Sequence, residues 1–225
     1  PLIFLHGVYY DHHLWNYQTA RIKDRTVITI DMPLHGNSKA IHKENWTMED
    51  CGTMLVELLD ALGIERCYAV GHSWGSMTIL RAASAHPERF VGVGLCNMPL
   101  AAGGMGAKMQ FGFQHLLLGF RGFYTQQVAK ARFGEESRKN KPEIVEYLAL
   151  SMSQLSNRDI RQTDQAVIMR VDDGHAYLRQ LRVPGLALQG AADYVEQTPH
   201  IPTTVVRGKH TSPLEQPEEV LHLIY

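Results

Sequence analysis

Apolar and polar positions along this chain alternate between two spacings. Short runs of β-branched and other apolar residues occur at Leu2–Leu5, Val27–Ile30, Cys67–Val70, Val91–Leu95, Leu186–Leu188 and Thr203–Val206. Such runs, punctuated by Gly, Pro and charged residues, predict strands. Between them lie longer stretches with apolar residues three and four apart, which predict amphipathic helices. The clearest covers Thr47–Leu62. Thr47 can cap it, Asp50 stands three residues on, and Gly63 closes it. Met48, Cys51, Leu55, Leu58, Leu59 and Leu62 then share one face. Met77–His86 (stopped by Pro87), Asp172–Leu181 and Pro217–Ile224 are further helical segments. Strands alternating with helices predict the α/β class, with a mostly parallel sheet flanked by helices.

From about residue 101 to 170 that alternation breaks. The expected organisation is a core domain built from 1–100 and 171–225, carrying a helical cap or lid insertion over 101–170. The insertion's first half holds Met105, Met109, Phe111, Phe113, Leu116, Leu117, Leu118, Phe120, Phe123 and Tyr124. Lys108, Gln110, Gln114, His115 and Arg121 interrupt it well short of the ~20 apolar residues that a membrane span needs. Two fates are open to these side chains: the insertion's own packing, or the wall of an apolar acyl or alcohol pocket. Residues Ala131 to Glu143 are charged and are expected to form solvated surface.

Charge and cysteine content narrow the classes. Lys and Arg total 22 against 23 Asp and Glu, so nothing supports a nucleic-acid or acidic-membrane partner. Cys51, Cys67 and Cys96 are odd in number and sit in core-like segments, which predicts buried reduced thiols and a cytoplasmic location rather than a disulfide framework. The chain starts inside a strand without Met and stops inside a helix, so a truncated N-terminus is expected.

The most telling chemistry is Gly71-His72-Ser73-Trp74-Gly75, placed between the Cys67–Val70 strand and the following helix. A Gly-x-Ser-x-Gly in that setting is a nucleophile elbow: the turn is too tight for side chains at the flanking glycines, and the serine lies at a helix N-terminus that favours negative charge. Four other segments accompany it in order. Leu2-Ile3-Phe4-Leu5-His6-Gly7 looks like a strand entering an oxyanion loop. Asp31-Met32-Pro33-Leu34-His35-Gly36-Asn37-Ser38 looks like a turn after the next strand. Gly190-Ala191-Ala192-Asp193 and Gly208-Lys209-His210 look like acid and histidine loops. Together these motifs make the chain resemble the α/β-hydrolase family over nearly its whole length.

That resemblance implies a serine hydrolase with Ser73 as nucleophile, His210 as base and Asp193 orienting the imidazole. It places the oxyanion hole at the backbone N–H groups of Val8 and Trp74. Some relatives carry the acid after an earlier strand, but that position holds Asn97 here, with no acid close behind. His6 is expected to brace the oxyanion loop and, with Met98, Met105, Phe111 and Phe113, to border the substrate. Asp31 and His72 are expected to serve structure. The implied substrate is a small or medium carboxylic ester; lactone, thioester, C–C bond and perhydrolase chemistry share the same three residues, and a ligand-binding receptor with little turnover is the rival class. Oligomeric state is left open.

Two departures from the family stand out. Leu34 occupies a place where relatives commonly have glycine, and the short segment from Asp193 to His210 leaves no room for the usual helix. The hairpin that normally precedes the Leu2 strand is also missing. Tyr10-Asp11-His12-His13 invites a metal, but consecutive side chains rarely converge on one ion, so no metal is expected and the cluster is placed beside the substrate entrance. No Gly-x-Gly-x-x-Gly follows a strand, so no organic cofactor is expected.

Overall fold

The computed structural model describes residues 1–39 and 45–225. Six parallel strands form one sheet in the order β2-β1-β3-β4-β5-β6. They are β1 Leu2–Leu5, β2 Val27–Ile30, β3 Cys67–His72, β4 Phe90–Cys96, β5 Gly185–Gly190 and β6 Thr203–Val206. Each overlaps a predicted run. Every residue of β1 is buried, whereas the edge strands β2 and β6 are mostly part-exposed, as expected where only one side of a strand is paired.

Helices flank the sheet. Met48–Ala61 begins with a reciprocal capping box between Thr47 and Asp50 and buries Met48, Cys51, Leu55 and Leu59. Leu62, assigned to that buried face from the sequence, falls just past the helix and is exposed. The helix after the elbow, Trp74–Ala85, packs against Met48–Ala61 and Gly174–Gln180. Its side chains from Trp74 to Ala83 are all buried, so it is the central helix of the fold. Pro217–Ile224 lies against Asn16–Arg21 and against β4 and β5. Cys51, Cys67 and Cys96 are free and buried. Among the described residues no helix is long and apolar enough to cross a membrane.

The two departures have structural counterparts. Leu34 has a φ of 67°, in the left-handed region that glycine adopts more cheaply. No helix intervenes between β5 and β6, and residues 191–202 run as turns and loop directly into the neighbouring strand.

Residues 101–170 contain no strand. Their principal helices are Met105–Gln114, Arg121–Arg132, Pro142–Ser153 and Asn157–Asp164. The apolar residues of the first part do not form a closed core of their own: Met105, Met109, Phe113, Leu116, Phe120 and Phe123 are exposed, while Leu118 and Tyr124 are buried. The expectation of a solvated surface from Ala131 to Glu143 also needs correcting, because Arg132 and Phe133 are buried. The physical reason is a set of ties to the C-terminal segment. The Arg132 carbonyl accepts from the His210 N–H at 3.0 Å, and the Gly134 N–H donates to the buried Glu215 carboxylate at 2.7 Å. Glu215 also accepts from the Lys209 N–H at 2.8 Å, which pins this stretch against the loop carrying His210.

Candidate active site

The predicted groups lie just beyond the C-terminal ends of strands: Val8 after β1, Ser73 and Trp74 after β3, Asp193 after β5 and His210 after β6, with Asn97, which was not predicted, after β4. Parallel strands end on one side of the sheet, so loops that are remote in sequence meet there.

Ser73 stands at φ 50° and ψ −110°, an unusual backbone state for a residue with a side chain. Its neighbours explain how the turn is accommodated. A Cβ on Gly71 would lie 2.3 Å from the Ser76 nitrogen, and one on Gly75 would lie 2.2 Å from the Leu5 carbonyl oxygen. The Ser73 N–H donates to the Cys96 carbonyl at 2.9 Å, and the Gly75 N–H donates to the His6 carbonyl at 3.1 Å. The elbow is thereby fastened to both adjacent strands.

Ser73 Oγ lies 2.9 Å from His210 Nε2, and His210 Nδ1 lies 2.9 Å from Asp193 Oδ1. With Nδ1–H donating to the carboxylate, Nε2 is left to accept the serine proton. The side chains of His210 and Asp193 are both closed off from solvent. Burial lowers the His210 pKa to about 4, against the opposing pull of the Asp193 hydrogen bond. Burial on its own would raise the Asp193 carboxyl, but hydrogen bonds from His210 and Asn97 hold it below the usual carboxylate range. A neutral imidazole between a hydroxyl and a carboxylate can take the serine proton and store it as imidazolium.

Trp74 is the first residue of its helix, where a backbone N–H has no partner within the helix. Its indole is fixed in the core, stacked on Trp46 at 5.4 Å with His35 edge-on at 5.3 Å, so only its backbone faces the elbow chemistry. Val8 lines the same cavity as Ser73.

That cavity encloses about 1250 Å³ and is walled by both the sheet loops and the 101–170 segment. Phe111 and Phe113 line it, as do Leu117, Phe123 and Tyr124. His6, Met98 and Met105, predicted to border the substrate, do not. His6 is wholly buried, with Nδ1 donating to the Gly7 carbonyl at 2.8 Å and Nε2 accepting from the Met32 N–H at 2.8 Å. Burial lowers its pKa to about 4, so it stays neutral and braces the loop. Met98 is buried behind the wall, and Met105 points away on the outer surface.

His72 donates from Nε2 to the His210 carbonyl at 2.6 Å, which holds the His210 backbone in place. Asp31 accepts from the N–H groups of His12 at 2.7 Å and Asn37 at 2.9 Å, and so ties two loops together. The Tyr10–His13 stretch behaves differently from expectation. Possible ligand atoms of Asp11, His12 and His13 do converge to within 4.8 Å, because a tight helical turn folds the run back on itself. However, His12 Nδ1 is taken by Asp31 and His13 Nδ1 by Asp11, and none of the cluster lines the cavity.

Several site residues carried little signal in the sequence. Asn97, at φ 49°, donates to Asp193 Oδ2 at 2.7 Å and to the Lys209 carbonyl at 3.0 Å, and accepts from the Ser212 N–H at 3.1 Å. It joins the acid loop to the histidine loop, and only its place at a strand's C-terminal end could have flagged it. Tyr194 stacks its ring on His210, with centroids 4.4 Å apart. A buried polar group sits across the cavity: the Tyr9 hydroxyl donates to Asp164 at 2.7 Å and contacts the Tyr124 hydroxyl at 2.8 Å, while His115 Nε2 meets the other Asp164 oxygen at 2.8 Å. These residues are spread over the whole chain, so no local pattern announces them.

Comparison with known proteins bears on the fold. The family described as the alpha/beta hydrolase fold matches residues 1–210. 3-Oxoadipate enol-lactonase 2 of Acinetobacter baylyi is 27% identical over 236 residues, covering 99% of this chain and 86% of the relative. Epoxide hydrolase 4 of Homo sapiens is 30% identical over 100 residues, 44% of this chain but only 28% of that relative's length. A thermophilic esterase from Thermogutta terrifontis superposes with a TM-score of 0.87 at 24% identity, covering 100% of this chain and 87% of the esterase.

Proposed function

The chain belongs to the α/β-hydrolase family, and from that premise we propose that it is a serine-dependent hydrolase of small or medium carboxylic esters, with residues 101–170 acting as a cap. One observation carries the reading: Ser73, His210 and Asp193 stand in hydrogen-bonded series at the mouth-side ends of three strands, beside a large cavity.

In the proposed cycle, His210 Nε2 takes the Ser73 proton as Oγ bonds to the acyl carbon. The N–H groups of Val8 and Trp74 receive the resulting oxyanion, each such donor being worth about 3–4 kcal/mol of barrier. Collapse breaks the bond to the alcohol oxygen, and the alcohol leaves with the proton from His210. Water then gives a proton to His210 and attacks the acyl carbon. Ser73 departs with its proton restored, and the net change is ester plus water to acid plus alcohol. Asp193 and Asn97 hold the imidazole's orientation throughout.

A lactone is an internal ester and needs the same steps, and one relative matched over nearly the whole chain is an enol-lactonase; lactone hydrolysis is therefore the second reading. Epoxide opening is disfavoured by a serine at the elbow, since that chemistry calls for a nucleophilic carboxylate. The deciding experiment is fluorophosphonate labelling with the adduct located by mass spectrometry. A single adduct on Ser73, absent from Ser73→Ala, supports the proposal. No adduct on a cooperatively melting protein refutes it and turns attention to ligand binding without turnover.

A further inference from the structure

Arg132 is the anomaly of the cavity. It ends the Arg121–Arg132 helix, lines the same space as Ser73, and is only 6% exposed. A buried guanidinium ordinarily has a carboxylate partner, because an unpaired charge away from water is costly. Among the described residues none lies within ion-pairing distance. Its one hydrogen bond runs from Nη1 to the neutral Tyr194 hydroxyl at 3.3 Å, and its remaining donors are unused. The buried acid Asp164 is already taken on one oxygen by Tyr9 and on the other by His115, and the Arg132 guanidinium lies over the Tyr9 ring, 5.8 Å from its centroid. Helix capping does not explain the residue, since Lys130 already puts a cation in the same last turn, at the exposed surface.

The position relative to the chemistry is specific. Tyr194 stacks on the His210 ring and its hydroxyl reaches Arg132, so one aromatic ring separates the candidate base from the guanidinium. The rest of the wall is largely apolar, with Leu100, Phe111, Leu117, Val128 and Ile168 on it. A ligand with an anionic end, a short hydrocarbon spacer and a reactive acyl group would satisfy all three regions at once. We infer that Arg132 is a substrate anchor, and that the enzyme's substrates are esters or lactones bearing a second, free carboxylate, such as half-esters of short dicarboxylic acids. A planar carboxylate matches the fork of a guanidinium in two parallel hydrogen bonds, which a lysine could not supply in the same geometry. This inference rests on the serine-ester reading for its chemistry, though not for the binding of the anion.

The test compares 4-nitrophenyl hemiglutarate with 4-nitrophenyl pentanoate, which match in chain length and differ in the terminal charge. Wild type should favour the hemiglutarate by about tenfold or more in kcat/KM, the range expected of a charge-assisted contact. Arg132→Gln should reduce that preference ratio by a similar factor, mainly through KM, and Arg132→Lys should restore part of it. A wild-type preference for the neutral ester, or a ratio unchanged in Arg132→Gln, overturns the inference. Glutarate itself separates the anchor from the chemistry. If it raises the melting temperature of wild type and not of Arg132→Gln, the anchor stands even where no ester is turned over and Ser73 fails to label. If Ser73 labels and pentanoate is cleaved but glutarate neither stabilises nor inhibits the wild type, the anchor alone fails. Where Arg132→Gln does not melt cooperatively, the wild-type preference and glutarate inhibition decide.

Discussion

The sheet's C-terminal edge and the 101–170 segment build opposite walls of one cavity by opposite means. On the sheet side nearly every polar group is committed: His6, His72, Asn97 and Asp193 each hold a backbone or side-chain partner that fixes a loop. Glycines there are pressed against neighbouring backbone, and Ser73, a residue with a side chain, is held at positive φ. On the helical side, large apolar residues are left in solvent, and Gly106, Gly112, Gly119 and Gly122 have open space where a Cβ would go. One wall is over-determined, as the proposed catalysis would require of groups held to fractions of an ångström. The other is loosely specified, which would suit the proposed cap in selecting ligands rather than reacting with them.

The contrast breaks most sharply at the proposed nucleophile and its orienting acid. Ser73→Ala should lower kcat by about 10⁴-fold or more, and Asp193→Asn should cost a comparable factor by spoiling the imidazole tautomer. Ser73→Ala, the less disruptive of the two, should leave the circular-dichroism melt near the wild-type value. Retention of ester turnover in Ser73→Ala would dismantle the proposed chemistry.

Acid should separate catalysis from folding. His210 must be neutral to accept a proton, and burial lowers its pKa to about 4, so kcat/KM should hold level from pH 7 to about 5 and fall as pH drops through about 4. Stability should respond earlier. Burial also lowers His6 to about 4 and His35 to about 3, and takes His72 well below its ordinary value. In the unfolded chain each of these protonates near its ordinary value of about 6.5. Between that value and the folded values the unfolded state binds more protons, so stability is fully present above about pH 6.5 and declines as pH falls, by up to about 1.4 kcal/mol per pH unit for each histidine. A melting temperature that stays flat from pH 7 to 4 would contradict the burial of these rings.

How far the sequence foretold this molecule follows the same division. Strands were legible because β1 and its neighbours are apolar runs set off by polar turns, and the Thr47–Asp50 capping box announced its helix. Ser73, His210 and Asp193 were legible because each sits in a short motif whose glycines carry a steric reason. Arg132 was not, because an arginine in a charged stretch reads as surface until the Gly134–Glu215 and Arg132–His210 hydrogen bonds are known to bury it. His6 was assigned to the substrate for a related reason: proximity to the oxyanion loop is readable in sequence, but the direction of the ring is not. Met105 and Phe111 show the limit within one helix, since both are apolar and only the helix's docking decides which faces the cavity.

Asn97→Ala probes how much the sheet side depends on its cross-loop ties. The substitution leaves the Asp193 carboxylate, the Lys209 carbonyl and the Ser212 N–H each short of a partner. It should cost about 1–3 kcal/mol of stability as buried groups lose their hydrogen bonds. Asn97→Asp should not rescue it, because it sets a second carboxylate against Asp193. Urea denaturation at neutral pH would read both, and a loss below the error of the measurement would show that the acid loop is held by other contacts.

The gentlest comparison uses one chemical change in both walls. Gly75→Ala puts a methyl 2.2 Å from the Leu5 carbonyl oxygen, a backbone atom of the central sheet that cannot swing away. Such overpacking should destabilise the fold by about 3 kcal/mol and displace Ser73, so melting temperature and turnover fall together. Gly112→Ala makes the same change inside the Met105–Gln114 helix, where nothing lies within 4 Å of the new methyl. There the only consequence is helix propensity, which favours alanine by about 0.5–1 kcal/mol. The variant should therefore melt slightly higher than wild type with its ester turnover unchanged. If Gly112→Ala instead lowers the melting temperature or slows turnover, the helical wall is more tightly specified than its open glycines indicate, and the difference between the two sides of the cavity narrows accordingly.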